Sequence, residues 1–137
     1  MMKNCKETSN NKVFTFTERQ SKLTLLNKDE VSSTKVHVDG CAISDNGVKC
    51  DYLHLVEDKN LEIYIELKGQ DLRQAMKQIE RTISILGSKK QQQKLKSYII
   101  CSRSPLASTE IQQYDRTFRK HYNCQLIIKS SPFTDSY

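Results

Sequence analysis

Apolar and polar residues change their spacing at Gly69, and this change divides the chain into two regions. Upstream, three segments alternate between apolar and polar positions or are rich in β-branched and aromatic residues, at 34–43, 48–56 and 61–68. Two polar turns separate them, Ser44–Gly47 with its Asn-Gly pair and Glu57–Asn60. The pattern therefore predicts three consecutive strands in a meander.

Downstream of Gly69, apolar residues recur at helical spacing from Leu72 to Leu86. Asp71 is a suitable N-cap for this helix, and Gly87 is a suitable stop. A strand, a second helix and a last strand are predicted after it, at 95–101, 108–121 and 124–129. The predicted order is βββαβαβ, which indicates an α/β protein whose mixed central sheet of about five strands is flanked by helices on both sides.

The two ends of the chain are less regular. Residues 1–12 are polar and rich in Asn and Lys, which predicts a flexible N-terminal arm. Residues 13–17 alternate like a strand, whereas 17–26 could begin a helix, and the sequence leaves both interpretations open. We expect residues 13–130 to form a single domain and 131–137 to form a loosely held tail.

Charge adds a weak indication of the partner. The chain has 137 residues, of which 36% are apolar and 28% charged, and this suits one small α/β domain with much surface. Basic residues outnumber acidic ones by 22 to 16, for a net charge of +6. A basic body around an acidic hairpin suits a polyanion such as nucleic acid. Many mildly basic proteins have no such ligand, so charge alone decides little.

The cysteines and the apolar runs bear on the compartment. Cys5, Cys41, Cys50, Cys101 and Cys124 follow no zinc-ligand spacing, so we expect reduced, buried thiols in a cytoplasmic protein. A nucleophilic Cys–His pair stays open, because the chain has three histidines. No apolar run approaches the length of a membrane span, and the N-terminus lacks the apolar segment of a signal peptide. The sequence therefore predicts a soluble protein without a membrane partner.

Three charged residues lie where the strand ends of the central hairpin meet. Asp51 opens one strand, and Glu66 and Lys68 end the next, both pointing to one face. Two neighbouring carboxylates are stabilised by a cation, and Mg²⁺ prefers such oxygen ligands. The Lys68 ammonium is then placed to orient or deprotonate a water, or to offset charge on a phosphate. The alternative is a solvated hairpin with weak surface ion pairs.

An acid, a hairpin and then Glu-x-Lys at the end of the next strand resembles the PD-(D/E)xK nuclease superfamily, which has the restriction-endonuclease-like fold. Asp51 matches the first acid of that motif, Glu66 the second and Lys68 the lysine, while Cys50 stands where the name-giving proline usually lies. The predicted order of elements over residues 34–129 also matches the layout of that core. The resemblance implies a metal-dependent endonuclease that uses Mg²⁺ or Mn²⁺.

The resemblance also implies further site residues. Asp51 and Glu66 would bind the metal with help from the backbone carbonyl of Leu67. Several similar nucleases carry a glutamine on the helix after the motif that reaches back to the site. This favours Gln78, with Gln74 as second choice and a solvent-facing amide as the alternative.

Other charged residues have less defined roles. Members of the superfamily often place a further acid near the metal from a preceding helix, and Glu18 and Glu30 are the candidates here. Asp39 lies in a predicted strand beside Asp51, where it either approaches the site or shapes the bend at Gly40. A basic stripe on the first helix is either a phosphate track or a solvated face, and it consists of Arg73, Lys77 and Arg81.

We therefore expect a nuclease that hydrolyses phosphodiester bonds, with DNA preferred over RNA by resemblance alone, acting in restriction, defence or DNA repair. A homodimer or a partner subunit would supply two cuts on a duplex. Two alternatives stay open. One is a non-catalytic nucleic-acid- or protein-binding module on the same fold, and the other is a small enzyme of unrelated chemistry.

Overall fold

The computed structural model describes residues 4–67, 71–88, 90–102 and 108–137. A short 3₁₀ helix covers Glu57–Lys59. The strands and helices follow in the order β1 (Lys6–Ser9), β2 (Val13–Glu18), β3 (Ser21–Leu26), β4 (Ser33–His37), β5 (Tyr52–Val56), β6 (Leu61–Leu67), α1 (Leu72–Leu86), β7 (Lys94–Cys101), α2 (Ser108–Tyr122), β8 (Cys124–Ser130) and β9 (Phe133–Ser136).

The central sheet is mixed and has six strands in the order β1-β4-β5-β6-β7-β8. Its first four strands are antiparallel, whereas β6, β7 and β8 run parallel. The helices α1 and α2 provide the crossovers that parallel neighbours require. The predicted α/β class, the mixed sheet and both helices are therefore confirmed, with one strand more than expected.

The helix α1 has the predicted ends. The side chain of Asp71 accepts a 3.2 Å hydrogen bond from the backbone amide of Gln74, and the amide of Gly87 closes the last turn on the carbonyl of Ile83. The stripe from Leu72 to Ile79 is buried against the sheet, as its spacing predicted.

A second, three-stranded sheet has the order β2-β3-β9. It settles the choice left open for residues 13–26 in favour of a hairpin. It also shows that the expectation of a loose tail at 131–137 was wrong, because β9 pairs in parallel with β3. The arm predicted at 1–12 likewise contains a strand, since β1 pairs with β4 at the edge of the central sheet. Both end segments are short and polar, so their own sequences gave no sign of the pairing.

The central sheet has an apolar core on each face. On one face α1 and α2 cover residues such as Leu53, Tyr64 and Ile99. On the other face the second sheet covers Ile65 and Tyr98 among others. The prediction of helices on both sides was therefore wrong for one side, where aromatic and aliphatic residues of β2 and β3 form the covering layer.

Two predicted strands are shorter in the structure. The strand expected at 34–43 ends at His37, because Val38–Ile43 folds into a compact turn in which Gly40 has a φ of +75°. Such a positive φ favours glycine, so Gly40 ends the strand where a bend was expected within it.

The strand expected at 48–56 begins only at Tyr52, because the backbone of residues 48–50 bonds to side chains of α1. The guanidinium of Arg81 donates a 2.9 Å hydrogen bond to the carbonyl of Val48. The hydroxyl of Thr82 accepts a 2.9 Å bond from the amide of Cys50. The Asn-Gly turn at 44–47 therefore joins a loop to a loop, and it is not the hairpin turn that its sequence suggested.

The cysteines divide into two groups. Cys5 and Cys41 form a disulfide that ties the start of β1 to the turn after β4. The expectation of five reduced thiols was therefore wrong for this pair, which only the pairing of β1 with β4 brings together. Cys50, Cys101 and Cys124 are free and buried, as predicted. No helix in the described part of the chain is long and apolar enough to cross a bilayer.

Candidate active site

Asp51 and Glu66 lie side by side at one end of the hairpin formed by β5 and β6. The amide of Asp51 donates a 3.1 Å hydrogen bond to the carbonyl of Ile65, which continues the ladder one residue beyond β5. Oδ2 of Asp51 accepts a 2.8 Å bond from the amide of Leu67. Asp51 and Glu66 are only 8% and 5% exposed. The sheet register therefore brings the backbones of these two acids together at the strand ends, as predicted.

Both acidic side chains face the helix layer. Leu53 and Tyr64 belong to the core under α1 and α2. Asp51 is two residues before Leu53, and Glu66 is two residues after Tyr64. Since side chains two apart on a strand share a face, Asp51 and Glu66 point to the same side as these core residues.

The buried thiol of Cys50 lies near both carboxylates. Burial raises the pKa of its thiol to about 12, the Thr82 hydrogen bond opposes this rise, and the charges of Glu66 and Asp51 both add to it. The thiol therefore stays neutral at physiological pH and cannot act as a thiolate nucleophile. Burial also raises the pKa of Cys101, and that of Cys124 to about 11. The structure does not favour a nucleophilic Cys–His pair.

The helix α1 holds the segment that leads into Asp51. Gln78 Nε2 donates a 3.1 Å hydrogen bond to the carbonyl of Lys49. One turn later, Thr82 Oγ1 accepts from the amide of Cys50 at 2.9 Å and donates to the carbonyl of Gln78 at 2.7 Å. Gln78 thus reaches back toward the site as predicted, but its amide contacts the backbone before Asp51. Thr82 was missed, although its position four residues after Gln78 places both on one helix face.

The remaining motif residues have different outcomes. Lys68 lies outside the described residues. The amide of Leu67 bonds Asp51, and the role of its carbonyl as a metal ligand stays a prediction. Gln74 is exposed, and its backbone amide donates the hydrogen bond by which the Asp71 side chain caps α1. The side chain of Gln74 is therefore not the glutamine side chain that reaches toward Asp51 and Glu66.

The additional acidic candidates separate in space. Asp39 is exposed and forms a backbone bridge with Ile43 in the turn after β4. Glu30 is exposed in the loop before β4, with a φ of +49°. The structure does not bring either side chain to the pair. Both residues belong to turns, which for Asp39 is the alternative that the sequence left open.

Glu18 lies at the same end of the molecule as the pair, but it is carried by β2 and not by a helix. Burial raises the pKa of the Tyr52 hydroxyl, and the charges of Glu18 and then Asp51 raise it further. The same hydroxyl donates a 3.2 Å hydrogen bond to the carbonyl of Thr17. Tyr52 therefore links the second sheet to the strand end that carries Asp51, a role the sequence did not suggest.

The three basic residues of the α1 stripe differ in whether they are paired. Arg81 is committed to Asp45, with guanidinium-to-carboxylate distances of 3.1 and 2.7 Å. This pairing lowers the pKa of Asp45 to about 2, chiefly through the hydrogen bonds from Arg81 and from the amide of Gly47. Arg73 and Lys77 are exposed, so they stay candidates for a phosphate track.

The donor set suits a hard divalent cation in type, because Asp51 and Glu66 supply two carboxylates at one buried point. In residues 4–67, 71–88, 90–102 and 108–137, no group of three or more His, Cys, Asp or Glu side chains is arranged to hold a metal. The acidic pair would therefore complete its coordination with backbone oxygens, water or substrate, as Mg²⁺ sites commonly do.

Comparisons with known proteins add no assignment, because no protein-family model, no curated protein and no solved structure matches this chain.

Proposed function

We propose that this protein is a metal-dependent nuclease of the PD-(D/E)xK type, with a restriction-endonuclease-like core formed by β4, β5, β6, α1 and β7. The observation that carries the proposal is the burial of Asp51 and Glu66 side by side on the helix face, where β6 ends. The order of an antiparallel meander, a helix and a parallel strand supports the fold assignment.

Each residue has a task in this proposal. Asp51 and Glu66 would bind a divalent cation, which would polarise the scissile phosphate and lower the pKa of a water. The Leu67 amide fixes the orientation of the Asp51 carboxylate through its hydrogen bond to Oδ2. Gln78 and Thr82 hold the backbone of residues 49 and 50 on α1, so they position Asp51 without contacting substrate. Lys68 would orient the attacking water and offset charge on the phosphate.

The test is cleavage of supercoiled plasmid by the purified protein with Mg²⁺, with Mn²⁺ or with EDTA. We expect metal-dependent nicking by the parent and none by Glu66→Gln. The matched control is Glu62→Gln, because Glu62 is a second buried acid on the same strand and face. Glu62 bonds the Tyr64 hydroxyl at 2.7 Å and the Ser88 amide at 3.0 Å, at the opposite end of β6. Equal loss of activity in both variants would contradict a role specific to Glu66.

A non-catalytic binding module on the same fold is the second candidate. It is favoured by one observation, that the described residues contain no group of three or more His, Cys, Asp or Glu side chains arranged to hold a metal ion. Titration calorimetry with Mn²⁺ separates the two functions. We expect binding by the parent and its loss in Glu66→Gln, whereas a binding module would show no such difference.

The partner and the compartment are part of the same proposal. DNA is preferred over RNA by resemblance, and a homodimer or partner subunit would supply a second cut. A cytoplasmic location is proposed as well, but the Cys5–Cys41 disulfide weighs against it, since disulfides persist chiefly in oxidising compartments.

A further inference from the structure

The turn between β2 and β3 is fixed at the end of the molecule where β6, β7 and β8 end. The Ser131 hydroxyl accepts a 2.9 Å hydrogen bond from the amide of Lys22 and donates to the carbonyl of Gln20 at 3.4 Å. The amide of Ser131 in turn bonds the carbonyl of Cys101, the last residue of β7, at 2.8 Å. The turn between β2 and β3 therefore lies at the same end of the central sheet as Glu66.

Three exposed cations surround this junction, and we call them the basic edge: Arg19 in the turn, Lys22 at the start of β3 and Lys129 near the end of β8. The register places Lys129 beside Ile100 and Ile100 beside Leu67 on successive parallel strands. Two strand spacings separate Leu67 from Lys129, about 10 Å in total. Lys129 thus lies at the same end of the central sheet as the acidic pair, two strands away from β6.

Among the described residues, the three cations of the basic edge are not held in ion pairs, unlike several other cations of the chain. Arg81, Lys59 and Arg119 each form an ion pair with an aspartate. Within the part of the chain that the structure describes, Arg19, Lys22 and Lys129 form none, and Lys129 only approaches the ring of Phe133, at 5.8 Å. Exposed like charges at one edge repel each other unless an anion lies between them.

We propose that the basic edge is the surface on which a nucleic-acid backbone lies as it enters the site, so that its phosphates contact Arg19, Lys22 and Lys129. This inference rests on the proposed nuclease function and names the surface that holds its substrate. The cations lie toward the second sheet and the acids toward the helices. A strand that crosses the end of the central sheet meets both, and a repeating polyanion suits cations spaced along an edge.

The test measures binding apart from cleavage. Fluorescence anisotropy with a labelled DNA duplex is recorded in EDTA at several salt concentrations, and again with Mg²⁺ in the Glu66→Gln background. The variant is Arg19→Asn/Lys22→Gln/Lys129→Gln, with Asn at residue 19 because its φ is +54° and Asn tolerates that region. The matched control is Lys90→Gln/Lys94→Gln/Lys96→Gln, which removes the same charge at the opposite end of the sheet.

We expect the basic-edge variant to bind at least about tenfold more weakly and its salt slope to fall by about 0.9 for each lost phosphate contact, with the control close to the parent. Equal weakening in both variants would overturn the proposal, since net charge alone would then explain binding. A basic-edge variant that binds and cuts like the parent would overturn it too and leave the nuclease function intact. A parent that neither binds nor cuts would remove both proposals.

Discussion

The backbone amide of Leu67 donates a 2.8 Å hydrogen bond to the carboxylate of Asp51, so the first acid of the site is tied to the residue that follows the second acid. Glu66 is part of β6, whose backbone is paired on both sides. The relative position of the two backbones is therefore set by the sheet, and the Leu67 amide also orients the Asp51 carboxylate. This kind of rigid support is what a site that binds a cation requires.

Two substitutions of Asp51 should separate the effect of its charge on cleavage from the effect of its hydrogen bond on stability. Asp51→Asn keeps an oxygen for the Leu67 amide but loses the charge, so we expect little change in stability and a fall in cleavage of about 100-fold or more. Asp51→Ala leaves the amide without its acceptor, and we expect an additional loss of about 1–3 kcal/mol in unfolding free energy. Plasmid nicking and urea unfolding measure the two effects. An Asn variant that cuts like the parent would contradict a role for the Asp51 charge.

Thr82 should support the site from α1. In Thr82→Val the buried Cys50 amide loses its acceptor while the side-chain volume is kept, so we expect a loss of about 1–3 kcal/mol in stability. We also expect weaker Mn²⁺ binding, because the segment before Asp51 is then less fixed. Thr82→Ser is the control, since it retains the hydroxyl and should restore metal affinity. If Val and Ser variants bind Mn²⁺ equally, Thr82 has no positioning role.

The sequence was sufficient to place the acidic pair but not its supports. Asp51 and Glu66 follow from strand alternation and one hairpin turn, which are local rules. The bonds from Gln78 and Thr82 to the backbone of residues 49 and 50 depend on how α1 packs against a loop. The apolar spacing of α1 identifies its buried face, but it does not say which loop the edge of that face touches.

The disulfide can be tested by counting thiols. In denaturant without reductant, a thiol-reactive dye should label three cysteines, and after reduction it should label five. We further expect reduction or Cys5→Ser/Cys41→Ser to lower the unfolding free energy by about 2–4 kcal/mol, because the crosslink restricts the unfolded chain. Five thiols before reduction would contradict the disulfide and would restore the expectation of a fully reduced protein.

The second sheet shows where sequence patterns fail for the fold. The alternation of Val13–Thr17 indicated a strand, but β9 is a four-residue segment after a polar turn and gave no such sign. It forms because β3 offers an unpaired edge in parallel register. Short edge strands of this kind depend on a partner far away in the chain, so propensity cannot identify them.

His54 connects this second sheet to the central one. Its ring is fully buried, lies 4.6 Å from Phe14 and 5.3 Å from Phe16 between centroids, and bonds the Tyr137 hydroxyl through Nε2 at 2.9 Å. Nδ1 has no hydrogen-bond partner among the described residues. A charge on this ring would therefore be poorly stabilised.

This burial predicts an acid sensitivity. Burial, followed by the charge of Lys35, lowers the pKa of His54 from 6.5 to about 4. A histidine with such a lowered folded-state pKa is neutral in the folded protein and charged in the unfolded one between these two values. The stability it contributes is present above pH 6.5 and is lost as the pH falls toward 4, by about 3 kcal/mol in order of magnitude.

Denaturant unfolding at several pH values measures this loss, and His54→Phe isolates it from the carboxylates that titrate in the same range. Phe keeps an aromatic ring against Phe14 and Phe16, and the Tyr137 hydroxyl retains its 2.7 Å hydrogen bond to the Ser33 hydroxyl. We expect the variant to be less stable near pH 7 but to lose less stability between pH 6.5 and 4. Parallel pH profiles for parent and variant would mean that His54 does not stay neutral in the folded protein. Other groups would then cause the loss of stability between pH 6.5 and 4.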